Sequence, residues 1–255
     1  MVSIVMPAYN AEKYIREAIQ SVLCQTYEEW ELLVIDDCST DGTYSVVEKM
    51  SKDDDRIKLY KNQQNMGVSQ SRNKAVELAR GEWIAFLDSD DAWMPEKLSK
   101  QVSIAKTASD MVICYTASSF IDDDGKPYDY VMEVEETISY KTLLSKNLIS
   151  CSSVMIRSSV MKQIKMPSDK MHEDYYVWLK VLREGGKAYG INEPLLRYRL
   201  AANSKSSNRL KSAKMSYRTY RAVGYNFLTA SFLVFRYAFY SVAKRRKIYH
   251  SASHE

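Results

Sequence analysis

Through the first half of the chain, short apolar runs alternate with stretches in which apolar residues recur at helical spacing. Val2–Met6 is a short apolar run that Pro7 is expected to stop. Tyr14, Ile15, Ala18, Ile19, Val22 and Leu23 then share one face, which predicts a helix from about Glu12 to Cys24, with Asn10 placed to cap it. Glu31–Asp36 reads as a second buried strand, followed by the turn-rich Asp37–Gly42 and a helix around Thr43–Met50. Ile57–Lys61, Trp83–Leu87 and Met111–Tyr115 are further strands, separated by helices over Val68–Ala79 and from Pro95 to about Ala108. Strands that alternate with helices of this length predict an α/β fold with a largely parallel sheet.

The second half is less regular. Asp122-Asp-Asp-Gly125 is a turn signal that joins two strands. Cys151–Ile156 reads as a strand and Asp174–Arg183 as a helix ended by Gly185-Gly186. Lys187–Ile191 and Leu195–Leu200 are two short strand candidates, and the polar Ala201–Asn208 is expected to be a flexible loop.

Net charge changes this picture. The chain has 255 residues and a formal charge of +4, but residues 209–255 hold ten bases against one acid, or +9, leaving −5 for residues 1–208. An acidic body is therefore joined to a basic, aromatic tail. A nucleic-acid-binding body would carry a positive footprint, so nucleic acid is not an expected partner. The four cysteines (Cys24, Cys38, Cys114, Cys151) form no CxxC pair, which argues against zinc and fits reduced thiols in the cytosol. Met1–Pro7 has no basic segment before an apolar core, so no signal peptide is expected.

Ligands of open parallel sheets bind beyond the carboxyl ends of the strands. Here those ends carry Pro7-Ala8-Tyr9-Asn10, Asp36-Asp37 and Asp88-Ser89-Asp90-Asp91. An aspartate after the second strand can accept hydrogen bonds from a ribose hydroxyl or a base N–H. Asp88 and Asp90, at alternate positions where a strand opens into a loop, can share one hard cation, Mg²⁺ or Mn²⁺, with substrate phosphates. Ser39-Thr-Asp-Gly42 reads equally well as an Asx turn, and Gly81 as a plain turn before a strand.

The runs VSIVMPAYNAEKYIREAIQSVLCQT, LLVIDDCSTDGT and NMGVSQSRNKAVELARGEWIAFLDSDD resemble the family 2 glycosyltransferases of the GT-A fold, densely from Val2 to about Lys100. The resemblance resumes at His172-Glu-Asp-Tyr-Tyr-Val-Trp-Leu179, similar to the family's Glu-Asp-x-x-x-Trp-Leu motif. It implies a mixed, mostly parallel sheet flanked by helices over residues 1–208, followed by a helical tail over 209–255. It also implies inverting transfer of a sugar from a nucleotide-sugar, commonly a UDP-sugar, to an acceptor hydroxyl in bacterial surface-polysaccharide assembly. Carried over by residue, Pro7, Ala8 and Tyr9 would wall the nucleotide and Asp37 would meet the base edge. Arg72 would help position the nucleotide, against the alternative of a solvated helix charge. Asp90 and Asp88 would hold Mn²⁺ or Mg²⁺, with Asp88 also facing the ribose. Asp174 would be the general base, and Glu173 would support the acceptor pocket. His172 is read as a loop residue. One departure stands out: related enzymes often carry a histidine after a Tyr-Arg segment, whereas here Arg199-Leu200 is followed by Ala201. Arg197 and Arg199 are read as exposed strand charges. A nucleotidyltransferase would need a glycine-rich phosphate loop that Pro7–Asn10 is not. A non-catalytic nucleotide-sugar or membrane-binding module would not need Asp88, Asp90 and Asp174 together.

The tail interleaves aromatic residues with bases. Its longest uncharged stretch, Ala222–Phe235, has 14 residues, short of the roughly 20 that span a bilayer. This pattern suits a helix lying among anionic headgroups, and hence a peripheral protein on the inner face of the plasma membrane working on a lipid-linked glycan. The competing reading is a helix packed on the body.

Overall fold

The computed structural model describes residues 1–200 and 209–250. The predicted loop Ala201–Asn208 lies outside the described residues. The strands are β1 (Val2–Ala8), β2 (Trp30–Asp36), β3 (Ile57–Lys61), β4 (Trp83–Phe86), β5 (Ala92–Trp93), β6 (Met111–Ile121), β7 (Pro127–Met132), β8 (Met155–Arg157) and β9 (Lys187–Arg199). The helices are α1 (Ile15–Leu23), α2 (Thr43–Asp53), α3 (Val68–Leu78), α4 (Lys97–Thr107), α5 (Tyr140–Ser145), α6 (Ser158–Gln163), α7 (Glu173–Arg183), α8 (Arg209–Val223) and α9 (Phe227–His250). They surround one mixed sheet of order β3-β2-β1-β4-β8-β6-β9-β5, with β7 paired to β6.

β1, β2, β3 and β4 are parallel, as are β6 and β9, while β8 runs antiparallel between β4 and β6. The sheet separates two apolar cores. Ile4, Met6, Leu32 and Val34 face α1, α2 and α4, and Val5, Leu33 and Ile35 face α3 and α7. Every residue of β1 and β2 is buried, which is why these strands read as continuous apolar runs.

Four details depart from the expectations above. β1 does not stop at Pro7 but continues to Ala8, with Pro7 paired to Ile35. The Val5 carbonyl accepts from Leu87 N–H; two residues on, Pro7 faces the same edge after β4 has ended, so its missing N–H costs no ladder bond. Asn10 does not cap α1, which starts later, at Ile15; its side chain instead accepts from Thr40 N–H at 2.9 Å. Cys151–Ser153 is a turn of 3-10 helix rather than strand. The two C-terminal strand candidates are one long strand, β9, whose register shifts along β6 absorb the irregular middle. Gly81 also does more than turn the chain: a Cβ there would lie 2.6 Å from the Ser3 backbone nitrogen.

The tail helices join the body. Tyr220 of α8 and Ala230 and Leu233 of α9 are buried in the same core cluster as Trp178 and Leu143. The Tyr220 ring meets Tyr175 of α7 edge-on at 6.0 Å.

Candidate active site

The site forms where β1, β2 and β4 end and α3 and α7 begin. Asn10 and Cys38, just past β1 and β2, both have positive φ (48° and 65°), a conformation that costs non-glycine residues and clusters at functional sites. The Asn10 amide donates to Ser39 Oγ at 3.0 Å, so the two strand-end loops are bonded together. Asp41 accepts from Thr43 N–H at 3.0 Å, the Asx turn read from Ser39–Gly42. Pro7 and Ala8 are buried in β1, whereas Tyr9 stands half exposed beyond it.

Asp37 is buried and organises its surroundings. Its carboxylate accepts from Asn62 Nδ2 at 2.8 Å, Met66 N–H at 2.8 Å and Gly67 N–H at 2.7 Å. These bonds shape the loop leading into α3, a task that the sequence reading did not include. Gly67 allows it, with φ +86° and no room for a Cβ beside the Asp169 carboxylate. Asp169 in turn accepts from Ser69 N–H at 2.7 Å at the start of α3. The neighbouring Asp36 is fully buried, and its Oδ1 has no hydrogen-bond partner, an acceptor left open at the end of β2.

Arg72 decides how the site is assembled. Far from being a solvated helix charge, it is 3% exposed. One arm of its guanidinium donates to Asp88 Oδ1 at 2.5 Å and the other to Glu173 Oε1 at 2.9 Å. Burial disfavours the charge, but Asp88, Glu173 and Asp174 outweigh that and hold the guanidinium firmly protonated. Arg72 thus ties the acid at the end of β4 to the acids at the start of α7, two motifs far apart in sequence.

The Asp88–Asp91 turn is held from several sides. Asp88 N–H donates to Ser152 Oγ at 3.0 Å, and Arg199 Nε donates to the Asp90 carbonyl at 2.8 Å. Asp91 is buried and accepts from Arg199 N–H at 2.9 Å; burial and the charges of Asp90 and Asp88 drive its carboxyl well upward. Asp90 is pushed up to about 6 by burial and then by the charge of Asp88. Arg197 is exposed as expected, but Arg199 is buried, with its guanidinium 4.9 Å from the Tyr14 ring centre and 2.5 Å from Glu17. No sequence signal distinguished the two arginines, which lie two residues apart on the same face of β9; only Arg199 meets the Asp90–Asp91 turn and Glu17, and these contacts bury it.

Among the described residues, no group of three or more His, Cys, Asp or Glu side chains is arranged to hold a metal by itself. Asp90, whose proton affinity is raised by burial and by the charge of the neighbouring Asp88, and Asp88 itself nevertheless fit a hard divalent cation that takes its remaining ligands from phosphate and water. Asp90 and Asp88 would hold it.

At the other wall, α7 is anchored by the second half of its motif. Trp178 and Leu179 are fully buried, and the Trp178 ring meets Phe86 of β4 edge-on at 6.1 Å. Asp174, one turn before Trp178, is held up above the usual carboxylate range by burial and by Glu173, with Arg72 and His172 acting against the shift. A carboxylate of raised proton affinity on a fixed helix start suits general-base work.

Comparison with known proteins settles the class. The profile of Glycosyl transferase family 2 matches residues 3–165. The chain belongs to that family. It is 39% identical over 246 residues to TuaG of Bacillus subtilis (strain 168), a glycosyltransferase named for teichuronic acid biosynthesis, covering 96% of this chain and 97% of that protein. It is 38% identical over 216 residues to WfgD of Escherichia coli, named a UDP-Glc:alpha-D-GlcNAc-diphosphoundecaprenol beta-1,3-glucosyltransferase, covering 84% and 83%. Among solved structures, Staphylococcus aureus TarS 1-349 with UDP-GlcNAc superimposes with a TM-score of 0.72 at 21% identity, covering 91% of this chain and 70% of that one. A mannosyltransferase from Pyrobaculum calidifontis with GDP-Man and Mn²⁺ superimposes at 0.70 and 16% identity, covering 99% and 73%. These two likenesses carry the fold, which is GT-A. The chain is a transferase enzyme of family 2.

Proposed function

We propose that this glycosyltransferase moves a sugar from a nucleotide-sugar, a UDP-sugar in the first instance, to a hydroxyl of a lipid-linked glycan, with inversion at the anomeric carbon. The names of TuaG and WfgD support a role in bacterial cell-surface polysaccharide synthesis. They also support work at the inner membrane face, because the WfgD substrate is a diphosphoundecaprenol lipid.

One observation carries the reading: Arg72 joins Asp88 to Glu173, so the donor-side acids and the Asp174 helix start form one site. Pro7, Ala8 and Tyr9 wall the nucleotide, and Asp37 sets the loop that receives its base. Asp174 takes the proton of the acceptor hydroxyl as that oxygen bonds to the anomeric carbon. The bond from this carbon to the diphosphate oxygen breaks in the same displacement, and the electron pair leaves with the nucleoside diphosphate. General-base assistance of this kind is worth about 10²–10⁴-fold. A bound Mg²⁺ or Mn²⁺ would neutralise charge growing on the departing diphosphate. Arg72 keeps Asp88 and Glu173 in register, and Glu173 supports the acceptor side.

The test compares Asp174→Asn with Asp90→Ala. Asp174→Asn is expected to abolish transfer while leaving Mn²⁺-dependent UDP affinity unchanged, and Asp90→Ala to weaken that affinity. Equal loss of UDP binding in both variants would refute the assignment of roles.

A further inference from the structure

The outward side of the α8–α9 hairpin carries chemistry that sugar transfer does not use. α9 buries Ala230 and Leu233 against the body. At about 100° per residue, Leu228, Phe232, Phe235 and Phe239 fall together on the opposite side. They are 77%, 63%, 77% and 71% exposed. An unbroken stripe of this kind marks an interaction surface, unlike scattered apolar residues.

α8 presents a different outward face. Its buried positions are Met215, Ser216, Thr219 and Tyr220, and Lys214, Arg218 and Arg221 lie opposite them, exposed. The last turns of α9 add Lys244, Arg245, Arg246 and Lys247 in sequence, and no acid occurs from Arg209 to His250. Among the described residues, no helix is long and apolar enough to cross a membrane.

We propose that this face docks the protein on an anionic bilayer, with the α9 stripe in the boundary between headgroups and acyl chains and the bases on headgroup phosphates. The proposal rests on the membrane-linked acceptor read above, and it names the surface that brings the enzyme there. A second copy of the chain fits this face less well. A two-fold contact would set the bases of one copy against those of the other, with no acid in the hairpin to offset them.

The platform is also bonded to the start of the catalytic helix. His172 N–H donates to Thr219 Oγ1 at 3.1 Å, and the His172 ring lies 3.3 Å from the Ser212 carbonyl. Arg218 donates to the Lys170 carbonyl at 3.1 Å. Docking of α8 and α9 therefore sets the height and tilt of Asp174 above the membrane plane.

Sedimentation of the full chain with phosphatidylcholine vesicles, with and without phosphatidylglycerol, tests this in the absence of donor and acceptor. Phe232→Ser/Phe235→Ser is expected to lower the partition coefficient about tenfold or more. Lys214→Glu/Arg221→Glu should lower it about tenfold on phosphatidylglycerol vesicles only. These side chains face solvent, so melting curves should match the wild type. Unchanged partitioning of the phenylalanine variant would overturn the proposal. So would a wild-type dimer that this variant converts to monomer. Normal vesicle binding without transfer to any lipid-linked acceptor would refute the acceptor reading and uphold the docking face.

Discussion

Replacing Arg72 with Met removes the side chain that bonds both Asp88 and Glu173, and the cost can be worked from their burial. The Arg72 and Glu173 side chains are 4% and 6% exposed, whereas Asp88 is 31% exposed and regains water readily. Removing one partner of a buried pair typically costs about 3–5 kcal/mol, because the other charge stays buried. Met also removes the Arg72 Nε–H, which is buried with no acceptor, and relieves about 1 kcal/mol. The net expectation is a loss of about 2–4 kcal/mol, or roughly 10 °C in melting temperature for a chain of this size. The pH dependence has a definite sign. Without the guanidinium, the charge that holds the Asp174 carboxyl down is lost and its folded-state proton affinity rises further above its unfolded value, so the variant's deficit is larger at pH 8 than at pH 5. Urea unfolding at both pH values measures this, and Arg72→Met/Glu173→Gln should recover at least about 1 kcal/mol. A deficit below about 1 kcal/mol that does not vary with pH would show that Arg72 is not what compensates the buried acids of α7.

Two further predictions concern titration. Asp174 must be ionised to act as base, and its proton affinity is raised by burial and by Glu173. The acid limb of the kcat profile should therefore lie above the usual Asp value of about 3.9, with activity rising as pH rises through it. A limb at or below that value would remove the general-base assignment. Lys97 is fully buried, its Nζ 3.9 Å from the Trp93 ring centre and 2.9 Å from Gln101 Oε1, and burial lowers its pKa from 10.5 to about 7. Between about pH 7 and 10 the unfolded chain holds a proton that the folded chain has given up, so wild-type stability should rise with pH relative to Lys97→Met. Parallel stability curves for the two proteins would show that Lys97 stays charged in the fold.

The alternation of apolar runs and helical faces determined the first half of the fold, because β1 to β4 form one contiguous block of the sheet and bury local patterns. Ile57–Lys61 is the predicted third strand, residue for residue. The second half was less legible: β8 is three residues long and sits between β4 and β6 by pairing that no local pattern encodes. Sequence alone marked Asp88 and Asp90 as acids at a strand end, a local feature, and marked Glu173 and Asp174 through the family resemblance at His172–Leu179. It did not decide what Arg72 and Arg199 do, because a charged residue in a helix or strand reads the same whether it faces water or three carboxylates. Only the packing of α3 on β1 and β2 brought the Arg72 side chain between Asp88 and Glu173, buried it and made it the link between two acidic motifs. Likewise the sequence supplied the bases and aromatics of the tail. Packing of Ala230, Leu233 and Tyr220 on the body chose which side of each helix faces outward. A helix has one periodicity but two sides, and tertiary contact selects between them.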